Sequence, residues 1–321
     1  MRAVVLAGAG GPEVLTIREI DAPRPASRQI LVRVRASALN RADILQRLGR
    51  YPAPAGWPSS VPGLEYAGEV AALGPGVARW KVGDRVMGLV GGGAQAEALV
   101  VHEDEALPVP ARLDLADAAA VPEACLTAFD ALTTRGRLTR GERVLLHAVG
   151  SGVGTAAVQI ARALGATVLG TSRSPGKLEQ ARALGLEVGI ATRESSFRDR
   201  VGAPVHLIVD PIGAPVFADN LAVLAPLGRL VLLGFLGGSR GELDLEPVLR
   251  KRLEVIGTVM RTRSREERAA LVEAARSGLL PLLESGAVRP VIDRYLPMTE
   301  IADAHRAMER DETFGKIVVV W

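Results

Sequence analysis

Residues 147–154 read HAVGSGVG, and Gly150, Gly152 and Gly154 give three positions without a Cβ between the run ERVLL and the stretch TAAVQIARALGA. Backbone N–H groups laid bare by such a turn at the start of a helix bind anions, a pyrophosphate above all. The dinucleotide fingerprint G-x-G-x-x-G, ended on Gly154, asks for glycine at 149 and 151, where the chain has Val149 and Ser151. The literal pattern fails, but its surroundings fit, because the fingerprint has meaning only where a strand runs into a turn and then a helix. Glu142 to Ala148 is apolar and β-branched, as in a strand buried on both faces, and Thr155 to Leu164 repeats apolar residues at helical spacing. A turn that only packs strand on helix is the competing reading.

The end of the next strand bears on the choice. A chain that binds NAD carries an acid there for the ribose 2′-hydroxyl. Here the strand ends GTSRSPGK, with Ser172, Arg173, Ser174 and Lys177 and no carboxylate. Cations and hydroxyl donors suit a 2′-phosphate, so the cofactor expected is NADPH. Solvated surface charge is the alternative account of Arg173 and Lys177.

These residues need a scaffold, and the chain from Gly141 to Met260 supplies one by alternating strands and helices. ERVLLHA, ATVLGTS, VHLIVDPIG, GRLVLLGFLG and EVIGTVM read as strands, with LEVGIA as a shorter one. PGKLEQARALG and APVFADNLAVLAPLG read as helices ended by glycine. The pattern is α/β, a doubly wound parallel sheet whose ligand lies beyond the carboxyl ends of its strands. Residues 1–115 differ: MRAVVLA, LTIREI, QILVRVRAS, YAGEVAAL, DRVMGLV and EALVV are short strands between Gly and Pro turns, as in a small, partly closed β-barrel. Toward the C-terminus come SREERAALVEAARSG, a second helix for which Thr299 is the expected cap, and GKIVVVW. So apolar a final strand should pair inside a sheet, with the N-terminal domain as host. The domains expected are 1–119 completed by 266–321, and 120–265.

Composition narrows the field. The chain has 321 residues, 48% hydrophobic and 23% charged, enough for two cores of ordinary globular character. No apolar run is long enough to span a membrane and no basic, apolar leader is present, so cytoplasm is the expected location. Cys125 is the single cysteine, which excludes intramolecular disulfides and multi-cysteine zinc sites. A net charge of +3 invites thoughts of nucleic acid, but aromatic residues make up 3% of the chain and no basic tract carries stacking residues. His102, His147, His206 and His305 are scattered, each read as structural.

SALNRADILQRLGRYP (37–52), PGLEYAGEV (62–70), WKVGDRV (80–86), PEACLTAFDAL (122–132), the 147–165 stretch and GKIVV (315–319) together resemble the medium-chain dehydrogenase/reductase superfamily. Within it the chain is similar to the zinc-independent, ζ-crystallin-like quinone oxidoreductases, and its serine-bearing turn to the tumour-suppressor-inducible quinone reductase subgroup. The resemblance implies a GroES-like catalytic barrel and a Rossmann nucleotide domain. It implies that Val149 and Ser151 are a variant of the fingerprint, with Gly150, Ser151, Gly152, Val153 and Gly154 at the pyrophosphate. It also implies cofactor contacts at Asn40, Thr127, Thr192, Gly234, Phe235, Gly315 and Lys316, and pairing of nucleotide-domain sheets in a homodimer. The zinc alcohol dehydrogenases of the superfamily carry a cysteine where this chain has Asn40 and a His-Glu pair where it has Leu64 and Glu65.

Without a Lewis-acid metal, alcohol oxidation is hard, whereas hydride delivery to an electron-poor acceptor is easier. Quinones and activated enones or enals are such acceptors. Asn40 and Tyr51 are the donors expected at the reacting carbonyl, with Arg41 and Asp43 shaping their loop and Glu65 a structural carboxylate. Asn40 is equally suited to cap the helix beginning RADILQRL, through its side-chain oxygen, leaving its NH₂ available. An enoyl or alkenal reductase is the neighbouring reading. An NADPH-binding protein of crystallin or RNA-binding use is the reading from another class.

Overall fold

The computed structural model describes residues 1–193 and 196–321. From the N-terminus the elements are β1 (Arg2–Leu6), β2 (Leu15–Glu19), β3 (Gln29–Ala38), α1 (Arg41–Arg47), β4 (Glu65–Leu73), β5 (Arg85–Leu89), β6 (Ala98–His102), β7 (Ala106–Pro108), α2 (Leu115–Ala118) and α3 (Pro122–Phe129). There follow β8 (Arg143–Leu146), α4 (Gly152–Ala163), β9 (Thr167–Ser172), α5 (Pro175–Arg182), β10 (Val188–Ala191), β11 (Val205–Asp210), α6 (Ala214–Val223), β12 (Leu224–Leu232), α7 (Glu246–Lys251) and β13 (Glu254–Gly257). The chain closes with α8 (Arg265–Gly278), α9 (Leu280–Ser285), β14 (Ile292–Pro297), α10 (Ile301–Glu309) and β15 (Lys316–Val320). One unit holds Met1–Leu126, Arg261–Glu284 and Pro290–Trp321; the other holds Thr127–Met260 and Ser285–Arg289. The first break falls inside α3, later than residue 120, and the second at 260/261.

In the first unit the strand order is β14-β15-β3-β4-β5-β7, with β6 also on β3. β3 alternates in the strand period, so Ile30, Val32 and Val34 face inward beside Tyr66, Val70, Val86 and Val101. The last strand, β15, pairs antiparallel with Ala36–Ala38 of β3, the N-terminal partner its apolar character requires. β14 joins β15 in parallel, and its sequence IDRYLP gives little sign of this because no residue of it is fully buried. Thr299 is not a cap. It falls in a one-turn 3-10 segment, Met298–Glu300, and Glu300 precedes α10. A reciprocal cap lies on α8, where Ser264 Oγ accepts from Glu267 N–H and Glu267 Oε2 from Ser264 N–H.

The second unit is built on an all-parallel sheet, β10-β9-β8-β11-β12-β13. Leu145, Leu169, Ile190, Ile208 and Leu230 make its core with Phe197 and Leu221. The α/β architecture expected for this region is therefore present. The helix expected over 214–228 stops at Val223, and Leu224–Leu232 is strand instead. Pro226 cannot continue a helix, and Leu227 takes a left-handed φ of 62°, so the chain turns there.

Candidate active site

The Gly-rich turn joins β8 to α4 at the carboxyl edge of the parallel sheet. Ser151 caps α4, its Oγ accepting from Gly154 N–H at 3.0 Å. Gly154 has no substitute, because a Cβ there would stand 2.4 Å from Ala148 O. Val149 is fully buried and lies over Gly170 of β9, where a Cβ would be 2.3 Å from a Val149 methyl. The departures from the fingerprint thus have local reasons: the serine caps, the valine fills a hole, and Gly154 keeps strand and helix close. Leu146, His147, Ser151, Val153, Gly154 and Pro211 line a small cleft at this edge. The bare N–H groups beside it suit a pyrophosphate.

Next to the turn, Lys177 of α5 runs its stem over Gly150, whose Cβ would be 2.7 Å from Lys177 Cδ. Arg173 is exposed. Ser172 is buried and shapes the loop, its Oγ accepting from Ser174 N–H and its carbonyl from Thr192 N–H. Gly234 and Phe235 lie in the loop after β12, and Phe235 covers Gly213 while remaining 57% exposed. Thr127 is buried, and among the described residues its hydroxyl has no partner.

The first unit holds a buried polar cluster. Glu65 is wholly buried; its Oε1 accepts from Lys316 Nζ at 2.7 Å and Asn40 Nδ2 at 2.9 Å, and its Oε2 from Glu123 N–H at 2.7 Å. Lys316 Nζ also donates to Leu39 O and to Asn40 Oδ1. Asn40 therefore does not keep a free NH₂: one N–H goes to Glu65 and the other to Ala38 O at 3.2 Å. Its side-chain oxygen also faces Lys316, and Asn40 is the N-cap of α1 in a capping box with Asp43, whose carboxylate accepts from Asn40 N–H at 2.8 Å and Gly63 N–H at 3.2 Å. Lys316 is engaged by Glu65 and Asn40 and is not presented as a loose cation for a cofactor. Gly315 has a backbone reason of its own, φ 88° with a Cβ that would meet Val291 O at 2.2 Å.

Burial pushes Asp43 up to about 6, against the help of Asn40 N–H and Lys316. Burial likewise raises Glu123 to about 7, Lys316 opposing and Glu65 adding to the shift. Cys125, buried among these carboxylates, is pushed up to about 12 and is inert as a thiolate.

Tyr51 is partly buried beside this cluster, and among the described residues its hydroxyl has no hydrogen-bond partner. Burial pushes its phenol above the usual tyrosine value, with Arg261 pulling it down and Glu123 pushing it further up. The Arg261 guanidinium stacks 4.8 Å from the Tyr51 ring centroid and donates to Tyr51 O at 2.7 Å, Gly91 O at 2.9 Å and Gln46 Oε1 at 2.5 Å. Neither Arg261 nor Glu123 stands out in the sequence, and a 210-residue separation from Tyr51 hides the role of Arg261.

Residues 26–111 match the alcohol dehydrogenase GroES-like domain and residues 152–276 the zinc-binding dehydrogenase domain. A quinone oxidoreductase of Pseudomonas aeruginosa is 35% identical over 99% of both chains. The crystal structure of an NAD-dependent alcohol dehydrogenase superposes with a TM-score of 0.88 at 30% identity, covering 100% of both chains. That of the JamJ enoyl reductase gives 0.88 at 26% identity, covering 99% of this chain and 98% of its own. Among the described residues no three His, Cys, Asp or Glu side chains are grouped to hold a metal. With a barrel and a parallel-sheet unit in this order, and this likeness over its whole length, the chain belongs to the quinone oxidoreductase branch of the medium-chain dehydrogenase/reductase superfamily.

Proposed function

We propose that the protein reduces quinones with NADPH and without zinc. The observation that carries this reading is Tyr51, a partly buried phenol held by Arg261 with its hydroxyl unengaged, in a chain whose relatives include named quinone oxidoreductases. NADPH, when bound, supplies the hydride. A quinone that accepts it becomes a delocalised anion, so the protein's task is to orient the acceptor and steady one oxygen. Tyr51 is the donor for that oxygen. Asn40 acts behind it, holding Glu65 and Lys316 in place. Zinc independence is supported by the Lys316 ammonium on Glu65, which gives that carboxylate its cation, and by Asn40 and Leu64 at positions where zinc relatives carry ligands.

For the cofactor, the turn Gly150–Gly154 meets the pyrophosphate, and Arg173 and Lys177, with Ser172 and Ser174, meet the 2′-phosphate. Thr127, Thr192, Gly234 and Phe235 are assigned the remaining contacts. β13 is the edge of the parallel sheet and leaves Val255 42% exposed, so we also hold that two copies pair along it. Light scattering that gave a monomer mass would end that part. Among the described residues no helix is long and apolar enough to cross a membrane. The single buried cysteine suits the reducing cytoplasm.

The similarity to an enoyl reductase favours one second reading, reduction of an activated C=C bond. NADPH oxidation is to be followed with 1,2- and 1,4-quinones and with α,β-unsaturated aldehydes. Faster turnover of quinones is expected. Preference for the aldehydes would transfer the assignment to the second reading, and turnover of neither would leave a binding protein.

A further inference from the structure

We infer that Asp210 is a positioning residue for the cofactor-binding edge, acting through Asn220 and His147 along hydrogen bonds that run in one direction. The inference rests on the reading that the parallel-sheet unit binds a nicotinamide dinucleotide.

Asp210 ends β11 and is wholly buried. Its Oδ1 accepts from Ile212 N–H at 2.6 Å and Gly213 N–H at 3.1 Å, and its Oδ2 from Asn220 Nδ2 at 3.0 Å. An ionised carboxylate only accepts, so Asn220 must present its NH₂ to it. That leaves Asn220 Oδ1 toward His147 Nε2, 2.7 Å away. An amide oxygen also only accepts, so the imidazole proton sits on Nε2. His147 Nδ1 then accepts from Thr171 Oγ1 at 2.8 Å. With Asp210 ionised, every member except Thr171 has a single role, and Thr171 takes the one remaining.

The bonds join the places a dinucleotide would touch. His147 and Asp210 end or follow β8 and β11, Thr171 lies near the end of β9, and such sheets bind ligands beyond these ends. Thr171 O accepts from Val149 N–H, which ties the histidine to the Gly-rich turn, and Ala148 between them takes a left-handed φ of 55°. On the other side, the segment that Asp210 folds back on itself carries the next loop. Pro211 O accepts from Leu236 N–H and Ile212 O from Gly237 N–H. His147 and Pro211 both line the cleft. One carboxylate therefore sets both of its walls, and its effect on a ligand is exerted through other residues.

Asp210→Asn isolates direction from shape. The amide introduced by this change keeps an oxygen for Ile212 and Gly213 but donates to Asn220, which must turn its NH₂ to His147; His147 then accepts at Nε2 and donates from Nδ1 to Thr171. Nitrogen-15 NMR of the ligand-free protein should show His147 as the Nε2–H tautomer in wild type and Nδ1–H in D210N. Fluorescence titration should show NADPH and NADH both bound about tenfold more weakly by the variant, as for coupling carried through packed groups. A tautomer that does not change overturns the inference, and so does a changed tautomer with undiminished cofactor affinity. Should D210N not fold, Thr171→Val, which removes only the last hydroxyl, must weaken both cofactors, and unaltered affinity overturns the inference. Wild type that binds neither cofactor would overturn the cofactor reading itself; wild-type affinity that survives in the variant overturns this inference alone.

Discussion

Val149 packs directly over Gly170, the side chain that replaces a fingerprint glycine filling the space where a strand residue lacks one. Gly170→Ala should place a Cβ about 2.3 Å from the valine methyl and destabilise by roughly 1–3 kcal/mol, as overpacking does. Val149→Gly in the same chain should restore part of the loss. Thermal or denaturant unfolding of the two single variants and the double one checks the coupling, and additive effects would show that the contact carries no weight.

Asn40 and Tyr51 should behave differently. Asn40→Ala leaves part of Glu65 and Lys316 unpaired in a buried cluster, so it should lower stability by about 1–3 kcal/mol. Tyr51→Phe should leave stability nearly unaltered and lower turnover of quinones by less than the roughly 10²–10³-fold typical of a dedicated oxyanion donor. Steady-state kinetics with unfolding curves separate the two. Complete loss of turnover in Tyr51→Phe with cofactor binding intact would make the phenol an essential proton donor instead.

Cofactor choice should rest on Arg173 and Lys177. Two charge-assisted contacts to a 2′-phosphate give a preference of roughly 10², less where salt screens the exposed Arg173. The double change to alanine should raise KM for NADPH and spare NADH. Equal weakening of both cofactors, or a wild type that prefers NADH, would remove these residues from the assignment.

Stability should respond to pH through Glu123. Its folded value of about 7 lies above the usual 4.5, so the unfolded chain ionises first and the native state loses stability as pH rises. Between pH 5 and pH 8 the wild type should lose on the order of 2 kcal/mol relative to Glu123→Gln, at 1.36 kcal/mol per unit with some relief from residual solvent. His305, held neutral down to about 3 by burial and by Arg47, works the other way, since the unfolded imidazole protonates below 6.5. It is present in both proteins and cancels in the difference. A difference that does not vary with pH would refute the burial of this charge.

With Lys316 Nζ at 2.7 Å from Glu65, purified active protein should hold no stoichiometric zinc and keep its turnover in chelator. Elemental analysis that finds one zinc per chain would sink the zinc-free mechanism.

The order of elements was legible in the sequence, because helix and strand announce themselves through the spacing of neighbouring residues. ERVLL into a Gly-rich turn into TAAVQIARALGA is read locally, and so is the apolar final strand in need of a sheet. Where apolar patterning weakens, in β14 and around Pro226, local spacing does not mark the elements. The site depended on partners far apart in the chain. Asn40 is legible as a donor by type, but only the fold shows its amide engaged, because the lysine that takes its oxygen is 276 residues away. Arg261 reaches Tyr51 across 210 residues, and nothing adjacent to either marks the pair. Sequence spacing determined which groups were available for chemistry. Tertiary structure decided which of them remain unengaged, since a buried donor or acceptor is satisfied by whichever residue the fold brings to it.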